Sequence, residues 1–403
     1  MLQLNDNQST EFKLSYYGWV VVGASFLASL VGFGLVTSYG VFLKPLASEF
    51  GWSRSVIAGA FSTYAILHTG LAFFAGRFVD KFGPKLILGI GGFCLGFSML
   101  GMSWLTSVFE LHIYYGFILS VGVAAIYTPV LATVSRWFKA KRGLAVGIAS
   151  SGFGGSSLVF SPLSAWLISA FGLRWSFMIL GMVCWLIFIP VVILIRPVPR
   201  IMQVEIKSDS KEGLSFFEAF RTLTFWALCF SWMFMAVPLW AIMVHMVPLA
   251  TDRGIFLLRA GVLAGLIGAS SLIGRIGAGF LSDRFGRKRI LIGSFVFELM
   301  ITVWLLFSAE TWMLYLFAIF FGISSGGWAG VIGVFPADYF GGKATGTILG
   351  FAILMAGVGV AIGPYLGGYI YDATQSYDYM IVMCIIATIA GIISALFLRP
   401  VKD

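Results

Sequence analysis

The sequence predicts an all-α membrane protein of twelve transmembrane helices, arranged as two similar six-helix halves. Three observations carry this expectation: too few charges to face water, twelve apolar runs of membrane-crossing length, and landmarks that recur at a near-constant spacing.

Of the 403 residues, 59% are hydrophobic and only 11% are charged. A soluble domain carries roughly a quarter of its residues as charges. A chain so poor in charge cannot cover a water-facing surface, so its outer face must meet lipid. Cys94, Cys184, Cys229 and Cys384 all fall inside apolar runs and lack metal-ligand spacing. They read as small core residues, and neither a metal site nor a cofactor is expected. The first fifteen residues are polar and of mixed charge, unlike a cleavable signal, so the first apolar run is expected to remain as a helix.

The apolar runs of the first half extend over Tyr17 to Leu43, Arg54 to Val79, Leu86 to Thr106, Phe109 to Ser135, Gly143 to Ala170 and Trp175 to Ile195. Those of the second cover Thr224 to Ala250, Leu258 to Leu281, Ile290 to Ser308, Trp312 to Pro336, Ala344 to Tyr371 and Ser376 to Leu398. Each is about the twenty residues that a helix needs to cross a bilayer core roughly 30 Å thick. Long continuous apolar runs, without ten-residue alternation, exclude a β-barrel.

Basic residues give the orientation. With the N-terminus in the cytoplasm, twenty Lys and Arg residues fall in inside segments. Only Lys44, Arg54, Arg174, Arg253 and Arg259 fall outside, and the remaining one, Arg275, lies within the eighth run. This positive-inside bias predicts a multi-pass inner-membrane protein with both termini cytoplasmic. The net charge of +9 is thus a topology signal. It lies in short loops without a soluble module, so no nucleic-acid partner is expected.

The halves repeat. Gly76-Arg-Phe-Val-Asp80-Lys81-Phe-Gly83-Pro-Lys85 lies between runs two and three, and Gly279-Phe-Leu-Ser-Asp283-Arg284-Phe-Gly286-Arg-Lys288 lies 203 residues later, between runs eight and nine. Gly143 and Gly147 match Gly346 and Gly350 at the same offset, while Pro162 matches Pro364 at 202. Arg136-Trp-Phe138 and Asp338-Tyr-Phe340 occupy equivalent loops. Four landmarks at one spacing predict parallel repeats about an axis along the membrane normal, with the substrate site between them near mid-membrane. Residues 1–195 form the first bundle, 196–223 a cytoplasmic linker and 224–403 the second bundle. Within the linker, Phe216 to Phe220 suits an interfacial amphipathic turn.

The paired Gly-x-x-x-Asp-[Arg/Lys]-x-Gly-x-Lys loops resemble the signature of the major facilitator superfamily, and the resemblance covers the chain from about Tyr16 to Leu398. It implies that Gly76, Asp80, Lys81 and Gly83, with Asp283, Arg284 and Gly286, form a conformational latch at neighbouring helix ends. The alternative is a pair of positive-inside loops.

Deep inside the runs, the strong charges are Arg275 and Glu298. An Arg near a helix centre costs about 2.5–3.5 kcal/mol on insertion scales. Such a residue faces a water-filled cavity or an ion, which makes Arg275 the leading substrate-binding residue. It lies eight residues before Asp283, about 12 Å inward at roughly 1.5 Å per residue. A planar guanidinium pairs two-pronged with a carboxylate, so a small organic anion is the expected partner. A structural Arg bonded to helix carbonyls is the competing reading.

Tyr16-Tyr-Gly-Trp19 opening run one, Arg136-Trp-Phe138 followed by Lys141-Arg-Gly-Leu-Ala145, and Arg275 together resemble the monocarboxylate porter and oxalate–formate antiporter branches. The resemblance implies that Arg275 binds the carboxylate. Three positions depart from it. Ser271 stands where the porters carry an Asp one turn before the Arg, Thr37 and Ser38 stand where they carry a Lys, and Leu354 to Gly357 lacks the second cation of oxalate carriers. One cation compensates one carboxylate, whereas a dianion would bury an unpaired charge. A lactate- or pyruvate-like monocarboxylate follows, carried by alternating access with a proton. An organic-anion antiporter or a non-transporting sensor of the same shape are the alternatives.

Tyr127 resembles a site tyrosine of both branches. Tyr39, Phe153, Trp328 and Phe351 lie on runs one, five, ten and eleven, which in this fold face the cavity, where they would cage a small apolar tail. Asn and Gln are scarce in the runs, which argues against a sugar site. For the proton, the titratable groups are His68 and Glu298, each readable instead as a packing group. Three histidines on separate runs do not make an enzyme's site, and no filter-like loops mark a channel. One chain holds both halves, so a monomer is expected to be the working unit.

Overall fold

A computed structural model describes residues 2–138, 142–196, 213–341 and 343–399; the side chains of residues 2–16, Phe73, Gly76, Asp80, Arg142 and Gly143 lie outside that description. The described chain is almost wholly helical, and twelve helices are long and apolar enough to cross a membrane. Spans one to six are Tyr17–Phe50, Arg54–Ala72, Pro84–Ser103, Val108–Trp137, Leu144–Phe171 and Leu173–Leu194. Spans seven to twelve are Leu223–Asp252, Leu257–Phe285, Arg287–Leu306, Thr311–Phe340, Thr345–Thr374 and Asp378–Leu396.

Local chemistry sets where these helices start and stop. Gly83 and Gly286 end the second and eighth helices with φ of 81° and 91°. Only glycine adopts that backbone without strain, which is why the paired loop motifs keep it. The hydroxyls of Ser53 and Thr222 cap the second and seventh helices by accepting from the amides of Val56 and Phe225. Span one is broken into a helix ending at Thr37 and a second over Tyr39–Phe50, so it reaches further than its apolar run suggests. That second piece lies against span seven: a β-carbon on Gly40 would sit 2.4 Å from the Val244 carbonyl oxygen.

In the linker, residues 197–212 lie outside the described residues. The amphipathic turn is present as the helix Phe216–Phe220, with a reciprocal Ser215–Glu218 capping box. The Ser215 amide holds the Glu218 carboxyl below the usual carboxylate range. The segment is tied to the second half through the Leu214 amide, which donates to the Phe340 carbonyl.

Spans one to six pack mainly on one another, as do spans seven to twelve. The main apolar core of the first half lies around Leu95, Leu119, Val123 and Phe177, with smaller clusters around Val21 and Trp137 and around Val79 and Ile87. In the second half, one core lies around Phe317 and Phe321 and another around Phe225, Phe295 and Phe335. The halves meet along span two against span eleven and span five against span eight.

These seams are tight on the side away from the termini and open on the terminal side. On the far side, an added β-carbon on Gly261 would lie 2.9 Å from the Ser161 carbonyl oxygen. Arg54 of span two donates to both Asp252 oxygens, at 2.6 and 3.0 Å, and to the Tyr377 hydroxyl. The Asp372 carboxylate accepts from the Arg54 and Ser55 amides, and Lys44 lies 2.9 Å from Asp252. On the terminal side, β-carbons added at Gly147, Gly277, Gly279, Gly346 and Gly350 would meet nothing within 4 Å. A cleft therefore opens between the halves towards the face that carries the termini.

Candidate functional site

The cleft ends in a small cavity of about 120 Å³ at mid-span, shared by both halves. Its walls come from spans one, five, seven, eight and ten, and include Phe33, Thr37, Phe153, Trp240, Ser271 and Arg275. This lining suits a small ligand held mostly by apolar surface with a few polar anchors.

Arg275 is the cavity's charged lining residue. Its side chain is exposed although it sits within an apolar helix. Among the described residues, its guanidinium makes no ion pair or hydrogen bond. Backbone packing fixes its place. Span ten lies so close to span eight that a β-carbon on Gly330 would meet Arg275 Cα at 3.0 Å, and one on Gly326 would meet the Ser271 carbonyl at 2.0 Å. Small residues on span ten thus leave Arg275 free to project away from the helix pair into the cavity.

Opposite it stands an aromatic wall from the first half. The Phe33 ring lies 4.7 Å from Phe153 and 5.8 Å from Tyr127, and Tyr127 lies 4.8 Å from Phe153. Tyr127 and Arg275 are within electrostatic reach across the cavity. A guanidinium facing aromatic rings at this spacing offers two-pronged hydrogen bonds at one end of a small ligand and an apolar slot at the other.

The hydroxyl groups of the wall have their protons engaged. Ser271 donates to the Gly268 carbonyl at 2.7 Å, and Thr37 donates to that of Phe33 at 3.0 Å. Ser271 thus occupies the cavity one turn before Arg275 without bringing a charge.

The other expected residues lie elsewhere. Tyr39 is 1% exposed in the first-half core, its ring tilted against Tyr115 at 4.0 Å and its hydroxyl donating to the Ile57 carbonyl. Trp328 is buried and donates to Glu298 at 2.9 Å. Phe351 packs in the aromatic cluster of Phe216, Phe220 and Phe225 that seats the linker helix. None of these three lines the cavity.

His68 stacks on Tyr64 at 5.4 Å and meets the edge of Phe33, so it stands one ring behind the wall; its Nδ1 is buried without a partner. Glu298 is fully buried behind span ten, where Trp328 and Ser324 donate to one oxygen and the other has no partner.

Of the latch residues, Gly76 and the Asp80 side chain lie outside the described residues. Lys81 is exposed, its ammonium 5.1 Å from the Phe82 ring centre. Asp283 is exposed and 3.6 Å from Arg287, one turn along, and Arg284 lies over Phe285. Arg287 also pairs with Asp338, which holds the place of Arg136 in the repeat.

Sequence reasoning missed Phe33 and Trp240. In a chain with 16% aromatic residues, neither carries a signal that separates it from its neighbours. Thr37 and Ser271 were visible only as departures from a resemblance, and both line the cavity.

Comparison with known proteins agrees with this architecture. The sequence model described as Major Facilitator Superfamily matches residues 25–284 and 257–403. An Aspergillus flavus protein named MFS transporter asaE is 27% identical over 90% of this chain and 82% of its own length. Monocarboxylate transporter 4 of Rattus norvegicus is 26% identical over 91% of this chain and 80% of its own. In fold, the chain resembles the inward-facing, unoccupied crystal structure of a bacterial homologue of the human lysosomal transporter Spinster. The TM-score is 0.77 at 16% identity, covering 96% of this chain and 99% of that one.

Proposed function

We propose that this chain, which belongs to the Major Facilitator Superfamily, carries a small monocarboxylate across a cell's inner membrane by alternating access, with the carboxylate on Arg275. The observation that carries this reading is a single unpaired guanidinium projecting into a mid-membrane cavity against an aromatic wall. A charge in such a place is kept for a ligand of opposite sign. One guanidinium balances one carboxylate, and the apolar slot of Phe33 and Phe153 suits a short tail in place of a second charge.

Relatives named monocarboxylate transporters, at about 25% identity, support the substrate class. The count of basic residues supports cytoplasmic termini, and on that orientation the open cleft is the inward-facing state. A single chain supplies both cavity walls, so the monomer is the working unit.

The test is ligand-induced thermal stabilisation of the purified protein by lactate, pyruvate, propionate and oxalate, repeated on Arg275→Ala. The reading expects the monocarboxylates to raise the melting temperature and Arg275→Ala to abolish every such shift. Shifts that survive the substitution, or a response to oxalate alone, would defeat it.

A further inference from the structure

We propose that a groove on the lipid-facing side of the first half holds an anionic phospholipid, with one acyl chain between spans two, three and four and the phosphate on Lys81 and Lys85. The site shares no lining residue with the cavity of Arg275 and does not depend on what that cavity binds.

The groove has a volume of about 380 Å³, and among the described residues its lining is wholly apolar. Leu71, Ala75, Phe78 and Phe82 form one stripe along the second helix, Arg54–Phe82. Leu86 and Ile90 of span three make the facing wall, and Ala125 of span four lies at the floor. Phe78, Phe82, Leu86 and Ile90 are each about half exposed, so the groove is open to the bilayer along its length. From Leu71 to Phe82 it extends about 16 Å, at roughly 1.5 Å per residue. That is about half of a hydrocarbon core roughly 30 Å thick, the depth of a single leaflet. Its length therefore matches an acyl chain of the leaflet on the terminal side.

Charge selects the headgroup. Lys81 is exposed at the terminal end of the groove, its ammonium 5.1 Å from the centre of the Phe82 ring. Lys85, also exposed, immediately precedes Leu86. The loop from Gly76 to Lys85 carries Arg77, Lys81 and Lys85 against Asp80, three cations to one acid, a net charge of +2. An ammonium is a compact charge that a mobile phosphate meets without fixed geometry. With cytoplasmic termini, this is the leaflet whose anionic lipids give it a negative surface.

The repeat does not impose the groove. At the offset of 203 residues, Gly274 stands for Leu71, Arg289 for Leu86 and Trp328 for Ala125. Trp328 is buried, and span ten lies so close to span eight that a β-carbon on Gly274 would meet the Ile323 carbonyl oxygen at 2.0 Å. The second half closes this place with protein. The first half leaves it to a lipid chain, whose contacts recover the dispersion energy that an unfilled groove would forfeit.

The experiment is native mass spectrometry of the purified, delipidated full chain with dioleoyl phosphatidylglycerol, dioleoyl phosphatidylcholine or oleate. The wild type should retain one phosphatidylglycerol, at least about tenfold more than phosphatidylcholine. Ala125→Trp, which places the second half's residue on the floor, should lower that retention about tenfold through lost chain contact. Leu86→Glu, at an exposed wall position that folding tolerates, should do the same. Lys81→Gln combined with Lys85→Gln should bring phosphatidylglycerol down to the level of phosphatidylcholine. The proposal is overturned if the wild type retains phosphatidylcholine or oleate as well as phosphatidylglycerol. It is equally overturned if retention is unchanged in either groove variant that keeps its helical circular dichroism, or in the double lysine variant.

Discussion

The two seams that close the far side of the cavity use opposite chemistry. Between spans two and eleven, with the end of span seven, the contact is ionic and directional. Arg54 is 9% exposed, bonds Asp252 and Tyr377 and lies 3.6 Å from the Tyr371 ring centre. Asp372, meanwhile, accepts from the first amides of span two across the divide. Between spans five and eight the contact is close packing without charge, with a hydrogen bond from the Ser157 hydroxyl to the Ala264 carbonyl at 2.7 Å. Gly261, Gly265 and Gly268 let the backbone meet Ser157, Ser161 and Ala165 at van der Waals distance. An ionic seam can be traded for water when the halves part, because each charge is re-hydrated. A small-residue seam has no such exchange, and its strength depends on fit. The pair therefore joins a releasable clasp to a close-fitting hinge surface.

Substitutions that attack each seam separately should divide along this line. Arg54→Ala should have the largest effect. It leaves Asp252 half-buried with only Lys44, and breaking a buried pair costs about 3–5 kcal/mol. Spin-label distances across the far face should lengthen, and the wild-type response of that distance to salt should vanish.

Gly261→Val comes next. Its new β-carbon would sit 2.8 Å from that of Ala165, and overpacking costs about 1–3 kcal/mol. The same distances should lengthen, this time with the salt response retained. Equal salt dependence in both variants would break the comparison.

Asp372→Asn keeps a hydrogen-bond acceptor at the start of span two but removes the charge, for about 1 kcal/mol or less. The far-face opening should be correspondingly small. Lys44→Ala removes a side chain that is 38% exposed from Asp252, so its effect on melting should stay below about 1 kcal/mol.

Gly350→Val sharpens the picture from the open side. Nothing lies within 4 Å of its β-position, so thermal stability should move by no more than about 0.5 kcal/mol. Turnover in liposomes should fall nevertheless, because the terminal ends of the seams must close for the cavity to open outward. Unchanged turnover would show that Gly350 stays uncovered throughout the cycle.

The site was legible in the sequence where it carried charge. Arg275 stood out because a guanidinium inside an apolar run has few reasons to exist. Phe153 lines the cavity and Tyr127 adjoins it, on helices that the fold turns inward. Tyr39, Trp328 and Phe351 lie on equally suitable helices but face the core, Glu298 and the linker respectively. Phe33 and Trp240 gave no warning. An aromatic ring is at home against lipid, against another helix or around a ligand, so its identity does not tell which way it points.

By itself the sequence determined the twelve spans, the two-fold repeat with its obligatory Gly83 and Gly286, and the single deep cation. These follow from hydropathy, from a constant offset and from the cost of burying charge, none of which depends on how helices are rotated. The tertiary structure alone decided which faces look inward. It set Ser271 beside Arg275 in the cavity, placed Glu298 behind span ten, and divided the far-side closure into an ionic seam and a close-packed one. In a soluble helix, polar residues mark the outward face. In these spans lipid and protein core are alike apolar, so the inward face is fixed only by packing against neighbours distant in the chain.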